Sequence, residues 1–238
     1  MKTIKGLLKH WEFILLLLFV LEIGIFGIAN PAKFFRASSI LASVTNYISV
    51  CIIALFVTFV MITGGIDIQA SSLIGLTSIC IGVLWSDLGL NIWTAVLLAM
   101  LLSTFCGALS GYFIAYCGVQ PMVVTLGGSL LYSGLALLIS GLSKTPAYQG
   151  ISGFPAKAAN GSFQGFRFLG KGILFGTIPV PVAIYAVLIL ICFILLHRTK
   201  YGRKVFLIGV NPEAAEYSGI NSRLIVMSTY IITSIGAS

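Results

Sequence analysis

The 238-residue chain is 58% hydrophobic and only 8% charged, against roughly a quarter charged in ordinary soluble domains, which excludes a water-soluble globule. Its formal net charge of +8 comes without an aromatic-basic surface domain to hold nucleic acid; a topology signal and attraction to anionic lipid headgroups account for the excess. The five cysteines, Cys51, Cys80, Cys106, Cys117 and Cys192, are odd in number and scattered through apolar runs, which excludes a disulfide framework and any metal-ligand spacing.

Strand alternation is absent and the apolar runs reach helix-spanning length. The predicted fold is therefore all-α: a single polytopic transmembrane domain over residues 1–238, with six spans and the start of a seventh. Lys2, Lys5, Lys9 and His10 precede the first apolar run, Phe13 to Ala29. Glu22 interrupts that run and Asn30-Pro31-Ala32 is a poor cleavage site, so it is read as a span rather than a signal peptide. A carboxylate is costly in lipid, so Glu22 is expected to face the bundle interior or to snorkel, as a packing or a pathway residue.

Five further spans are expected at Val44 to Ile62, Ile66 to Trp85, Ile92 to Cys117, Met122 to Leu142 and Ile178 to Leu196, with a seventh beginning at Leu224. Gly64-Gly65, Asp87 to Asn91, Gln120-Pro121, Pro179 and Pro181 break the runs at their joints. Between the second and third spans, Gly64 and Gly65 expose backbone groups, which is tolerated at membrane depth only where protein or a water-filled cavity satisfies them. Asp67 follows with no adjacent cation. It is expected to cap the third span, to line a pathway, or both. In the fourth span Ser103, Gly107, Gly111 and Ala115 recur every four residues, a stripe that lets another helix approach closely.

The loop 143–177 is rich in Gly and Ala. Gly165, Gly170 and Lys171 match phosphate-loop spacing, but Gly172 stands where a magnesium-binding Ser or Thr is required and no strand precedes, so nucleotide binding is set aside. Asn160-Gly161-Ser162 is formally a glycosylation sequon.

The polar segment 197–223 is the one place outside the apolar runs where a short helix is signalled. Asn211 is a helix cap, Pro212 suits the first helical position, Glu213 suits the helix dipole and Gly219 supplies a stop. Two turns are too short to persist alone. The small pair Ala214-Ala215 leaves room for a partner's backbone, so the helix is expected to be a docking element. An even number of spans puts this loop and the N-terminus on one side. That side carries eight Lys and Arg (Lys2, Lys5, Lys9, Arg198, Lys200, Arg203, Lys204, Arg223) against six on the other (Lys33, Arg36, Lys144, Lys157, Arg167, Lys171), which makes it cytoplasmic and the loop 143–177 extracytoplasmic.

Gly64-Gly65-Ile66-Asp67 with Ser72 to Gly75 resembles a signature of the ABC-importer permeases for ribose and other simple sugars, and Val124 to Gly127 with Tyr132-Ser133-Gly134 resembles that family's next signature. The stretch from Gly209 to Gly219 is similar to its cytoplasmic loop that docks on the ATPase. Leu21-Glu22, Phe26 to Pro31, Tyr148 to Pro155 and Val205 to Gly209 are most similar to the branch that imports autoinducer-2, a sugar-like quorum-sensing signal.

That resemblance implies a non-catalytic permease subunit of the bacterial inner membrane. A second permease subunit would complete the pore, two ATPase copies would bind ATP and Mg, and an extracytoplasmic binding protein would deliver the solute; this chain would hold no cofactor. Asn211, Pro212, Glu213, Ala214, Ala215 and Gly219 would couple to the ATPase, and Gly64, Gly65, Asp67 and Glu22 would be pathway candidates. Ribose or another simple sugar is the alternative substrate. Gln69, Ala70 and Ser71 depart from the family's usual small or aliphatic residues. The family's chains also continue for several spans, which implies that this one is a truncated form. An ion-coupled transporter or channel is the rival class, but only Glu22 and Asp67 offer ionisable groups to it. A membrane enzyme is weaker still, because no acid, base and nucleophile assemble from the spans.

Overall fold

The computed structural model describes residues 11–30, 34, 36–143, 161–174, 176 and 178–238. Among them, α1 (Trp11–Ala29), α2 (Ala37–Ile62), α3 (Ala70–Ser86), α4 (Ile92–Ala115) and α5 (Pro121–Leu142) form the first half of a helical bundle. A short helix α6 (Gly161–Lys171) and a ladder of β1 (Ile173–Leu174) with β2 (Ile178–Pro179) lead into α7 (Val180–Arg198), α8 (Lys200–Val210), α9 (Pro212–Tyr217) and α10 (Ser222–Ala237). Among the described residues, four helices are long and apolar enough to cross a membrane, over Ser43–Ile62, Ile92–Ala115, Pro121–Leu142 and Val180–Arg198; α3, α10 and the stretch Ile14–Ala29 of α1 are apolar but shorter.

The helix starts follow capping chemistry. The Asn91 side chain accepts from Trp93 N–H (3.0 Å) at α4, and Asn221 accepts from Leu224 N–H (3.1 Å) at α10. Proline occupies the opening turns of α5 and α7, where its missing N–H leaves no bond unmade.

Several expected boundaries move. α2 begins at Ala37, ahead of Val44, and α3 begins at Ala70, behind Ile66. The outer segment 143–177 contains α6 and a two-residue antiparallel ladder with Leu174 opposite Ile178, although no strand and no helix were expected there. Helical backbone at Gly165, Gly170 and Lys171 also removes any phosphate-cradling loop. The N-terminal lysines, Lys144, Lys157 and the sequon Asn160 lie outside the described residues. Glu22 sits on a face of α1 that is exposed among the described residues: the side chains described from residue 14 to 29 are all exposed except Gly27.

α10 is the hub. It lies against both α2 and α4, with Thr229, Tyr230, Thr233 and Ser234 wholly buried. Ser103 Oγ donates to Ser234 O (2.6 Å) and Thr233 Oγ1 donates to Phe56 O (3.1 Å). A Cβ on Gly107 would meet the Ser234 side chain and lie 2.8 Å from Tyr230 O, and one on Gly111 would lie 2.9 Å from Met227 O. Three members of the small-residue stripe therefore form the face on which α10 rests; Ala115 is half-buried at its end.

One face of the bundle gathers the C-terminal ends of α2, α4 and α7 with the N-terminal ends of α3, α5 and α10. The opposite face is tied by Ser143 Oγ donating to Asp87 Oδ2 (2.7 Å) and by Trp93 edge-on to Phe166 of α6 (6.2 Å). α8 was not expected as a helix. Thr199 caps it, accepting from Gly202 N–H (3.2 Å), and its inward side chains Val205 and Ile208 share a cluster with Phe59, Leu196, Ala215 and Ile225. The backbone of Gly202 abuts Leu196 at the end of α7, and that of Gly209 abuts Ile62 at the end of α2. Seven residues of helix, about 10 Å, thus bridge the ends of two spans, so α8 runs across the bundle's face rather than continuing α7.

Candidate functional site

The turn between α2 and α3 is where polar chemistry enters the apolar bundle. Gly64 turns the chain at φ 80°, a conformation that disfavours any side chain. Gly64 N–H and Gly65 N–H close α2 on Met61 O and Val60 O, both at 3.0 Å. Asp67 Oδ1 then accepts from Gln69 N–H (3.1 Å), so the carboxylate terminates α3 from outside the helix.

Gln69 is fully buried. Its Oε1 accepts from Ser110 Oγ of α4 (2.7 Å); Ser110 also lies 3.5 Å from Tyr132 Oη of α5, which donates to Cys106 O (3.3 Å). A second strand of the network joins Ser72 Oγ to Ser129 Oγ (2.6 Å) and to Ser133 Oγ (3.1 Å), and Thr125 Oγ1 donates to Ile66 O (3.2 Å). Gly128 makes the approach possible, since a Cβ there would lie 2.6 Å from Gln69 Oε1. The network fixes α3 to α4 and α5 where apolar contact alone does little to specify position, because lipid is as apolar as leucine.

Three buried polar atoms have no hydrogen-bond partner among the described residues near this turn: Asp67 Oδ2, Gln69 Nε2 and Tyr230 Oη. A cavity of about 270 Å³ opens beside them, lined by the turns Thr63 to Gly65 and Gly118 to Pro121 and by Ile114, Val226 and Tyr230. Gly64 and Gly65 line it, Asp67 lies behind the turn, and Glu22 belongs to a different part of the molecule. Among the described residues no three His, Cys, Asp or Glu side chains cluster to hold a metal ion.

Burial is the leading influence on Asp67, which lies in the connection outside the spanning helices; it raises the carboxyl from 3.8 to about 6, against the lowering effect of the Gln69 and Ala70 N–H groups. A folded-state value above the unfolded one favours the protonated form. Its stabilising contribution is full below about pH 4 and is lost as pH rises through 6, a fall of up to roughly 3 kcal/mol. Asp67→Asn, whose amide oxygen still accepts from Gln69 N–H, is expected to flatten the stability profile between pH 4 and 7 and to match or exceed the parent at pH 7. Thermal unfolding in detergent across that range is the measurement.

The second group of expected residues lies in and around α9, immediately before α10 in the chain. Asn211 Oδ1 accepts from Ala214 N–H (3.0 Å), Pro212 opens α9, Glu213 occupies its first turn and Gly219 turns out of it at φ 77°. The alanine pair divides: Ala215 is buried against Val205, Ile208 and Ile225, whereas Ala214 is exposed. Ala215 thus seats α9 on the protein, and the outward surface consists of Ala214, Tyr217 (92% exposed) and Val210 (86% exposed). Tyr217, like Ser110 and Tyr230, was not singled out as a site residue from the sequence.

Residues 39–238 match the family model described as "Branched-chain amino acid transport system / permease component". Among curated proteins, the chain is 41% identical over 212 residues to the autoinducer 2 import system permease protein LsrD of Enterobacter sp. (strain 638), covering 89% of this chain and 62% of that relative. It is 40% identical over 223 residues to the LsrD of Yersinia enterocolitica (94% and 64%) and 37% identical over 227 residues to that of Photorhabdus laumondii (95% and 65%). The chain therefore spans less than two thirds of the length of these relatives. No solved structure gives a significant match. With a helical membrane bundle and a family match running from the first turn of α2 through α10, the chain belongs to this family of transport-system permease components.

Proposed function

We propose that the chain is a transmembrane permease subunit of an ATP-binding cassette importer that moves autoinducer-2 across the bacterial inner membrane. The observation that carries this is the α8–α9 arm: a capped two-turn helix seated on the bundle through Ala215, held across the ends of α2 and α7, and presenting Ala214 and Tyr217 outward. Such an arm turns a push from a partner into movement of two spans. The relatives' names supply the substrate, and the scarcity of ionisable groups in the spans suits a neutral polyhydroxylated solute, with a simple sugar such as ribose as the alternative.

In this reading a second permease subunit completes the pore, two ATPase subunits carry ATP and Mg, and a solute-binding protein delivers from outside. This chain performs no catalysis and binds no cofactor. The N-terminus and the α8–α9 arm are cytoplasmic, as the lysine and arginine balance favours. An ion-coupled mechanism finds little support: Glu22 and Asp67 are the only two ionisable groups the sequence offers to it.

Ala214→Trp places a large ring on the outward face of α9 without touching the spans. It is expected to leave membrane insertion intact while co-purification with the cognate ATPase and uptake both fall at least tenfold; Ala215→Trp, by contrast, should unseat α9. Unchanged co-purification and uptake in Ala214→Trp would reduce the arm to a linker.

A further inference from the structure

We infer that the outward face of α8 is a seat for anionic phospholipid, so that the arm rests on the headgroups of the leaflet at its own end of the bundle. This concerns the bundle and its arm, whatever solute is carried. The face is built from three pairs of residues four apart. With Gly202, Val205 and Ile208 buried, a helix turning about 100° per residue points Phe206 with Val210, Arg203 with Leu207, and Lys200 with Lys204 outward, in that order around its axis, and all six are exposed. Apolar side chains thus form one flank and ammonium groups the other.

Arg198, exposed in the last turn of α7, adds a fourth cation. No Asp or Glu occurs between Arg198 and Asn211, so the segment holds its charges without an internal counterion. A surface helix in water gains nothing by exposing Phe206 (39%) and Leu207 (53%). In a membrane interface the same helix buries them at the boundary of headgroups and acyl chains, while its lysines and arginines reach phosphate.

Continuity and charge decide the occupant. The His197 ring stacks on Phe193 (4.6 Å between ring centres) and meets Phe206 at 5.8 Å. Leu190, Phe193 and His197 form an exposed column along α7, so one surface runs down a helix long enough to cross a membrane and turns onto α8. The level agrees: Tyr112 and Tyr116 stack, exposed, at the end of α4 on the same face of the bundle, and such amphipathic rings gather at membrane interfaces. Tyr201 ties α8 there through a 2.8 Å hydrogen bond with Ser228 of α10. The two helices of the arm also differ in sign, since α9 carries Glu213 and Glu216, both exposed. An anionic leaflet, as expected on the cytoplasmic side proposed for the arm, attracts α8 and repels α9, which leaves α9 to a protein partner.

The test reads what touches α8. A fluorophore is attached to Leu207→Cys in a Cys51→Ser, Cys117→Ser background, the other native thiols being buried. The chain with its partner subunits is reconstituted in phosphatidylcholine vesicles containing a minor fraction of phosphatidylglycerol spin-labelled near the headgroup, or the same fraction of phosphatidylcholine labelled there. The labelled phosphatidylglycerol is expected to quench about threefold more strongly. High salt, which screens exposed charges, should remove that preference. The triple variant Lys200→Gln, Arg203→Gln, Lys204→Gln should remove it too, while quenching by labelled phosphatidylcholine stays the same.

Equal quenching by the two lipids in the parent would overturn the seat, as would a preference that survives in the triple variant. Quenching by aqueous iodide and by neither lipid would place the face in water, and protection from all three quenchers would mean that a protein subunit covers it; either result also overturns the proposal. Loss of ATP-dependent uptake in the parent complex would count instead against the permease reading, so the two failures are distinguishable.

Discussion

Gly107→Ala is expected to destabilise the bundle by about 2–3 kcal/mol, because the added methyl would collide with the Ser234 side chain and with Tyr230 O, a backbone atom that no rotamer change can move aside. α10 would have to shift off α4, and the bond from Ser103 to Ser234 O would lengthen with it. Gly141→Ala provides the control: nothing lies within 4 Å of a Cβ there, so helix propensity should make it neutral or stabilising by up to about 1 kcal/mol. Thermal unfolding of both variants in the same detergent separates the two outcomes. Equal melting of the two would mean that α10 does not rest on the stripe.

The other large effect is expected at the arm. In Gly202→Ala and Gly209→Ala the new methyl meets main-chain atoms of Leu196 and Ile62, the ends of α7 and α2. Each variant lifts one end of α8 away from one span. Membrane insertion should persist, because the hydrophobic lengths are untouched, whereas uptake should fall at least tenfold with ATP hydrolysis less affected, since α9 keeps its own cap and its seat on Ala215. Uptake at the parent level in either variant would show that α8 transmits nothing through that contact.

The parts of this molecule legible in the sequence were those governed by local chemistry. The proline, asparagine and glycine signals around Asn211 to Gly219 placed α9 almost to the residue, since capping is decided within one turn. The spacing of Ser103, Gly107 and Gly111 announced a close helix partner, although its identity needed the fold. α8 was missed because basic residues mask its apolar positions, Val205 and Ile208, and only docking against α2 and α7 makes them an inward face. Gln69 registered as a departure from the family pattern; its place in the polar network depends on Ser110 of α4, a long-range contact that no local signal encodes. Ser72, Thr125, Tyr132 and Ser133 lay inside recognised signatures, but only the structure shows them joining α3 to its neighbours.

The pairing of α4 with α10 also constrains how the protein is made. Ser103 and the carbonyl it binds at Ser234 are 131 residues apart, and at 5–20 residues per second synthesis needs roughly 7 to 26 s to deliver the second after the first. Throughout that interval the glycine-lined flank of α4 is in the bilayer without its mate, open to lipid or to a wrong helix. Biogenesis thus leaves a time-limited vacancy on α4 that closes only when α10 has been synthesised and inserted beside it.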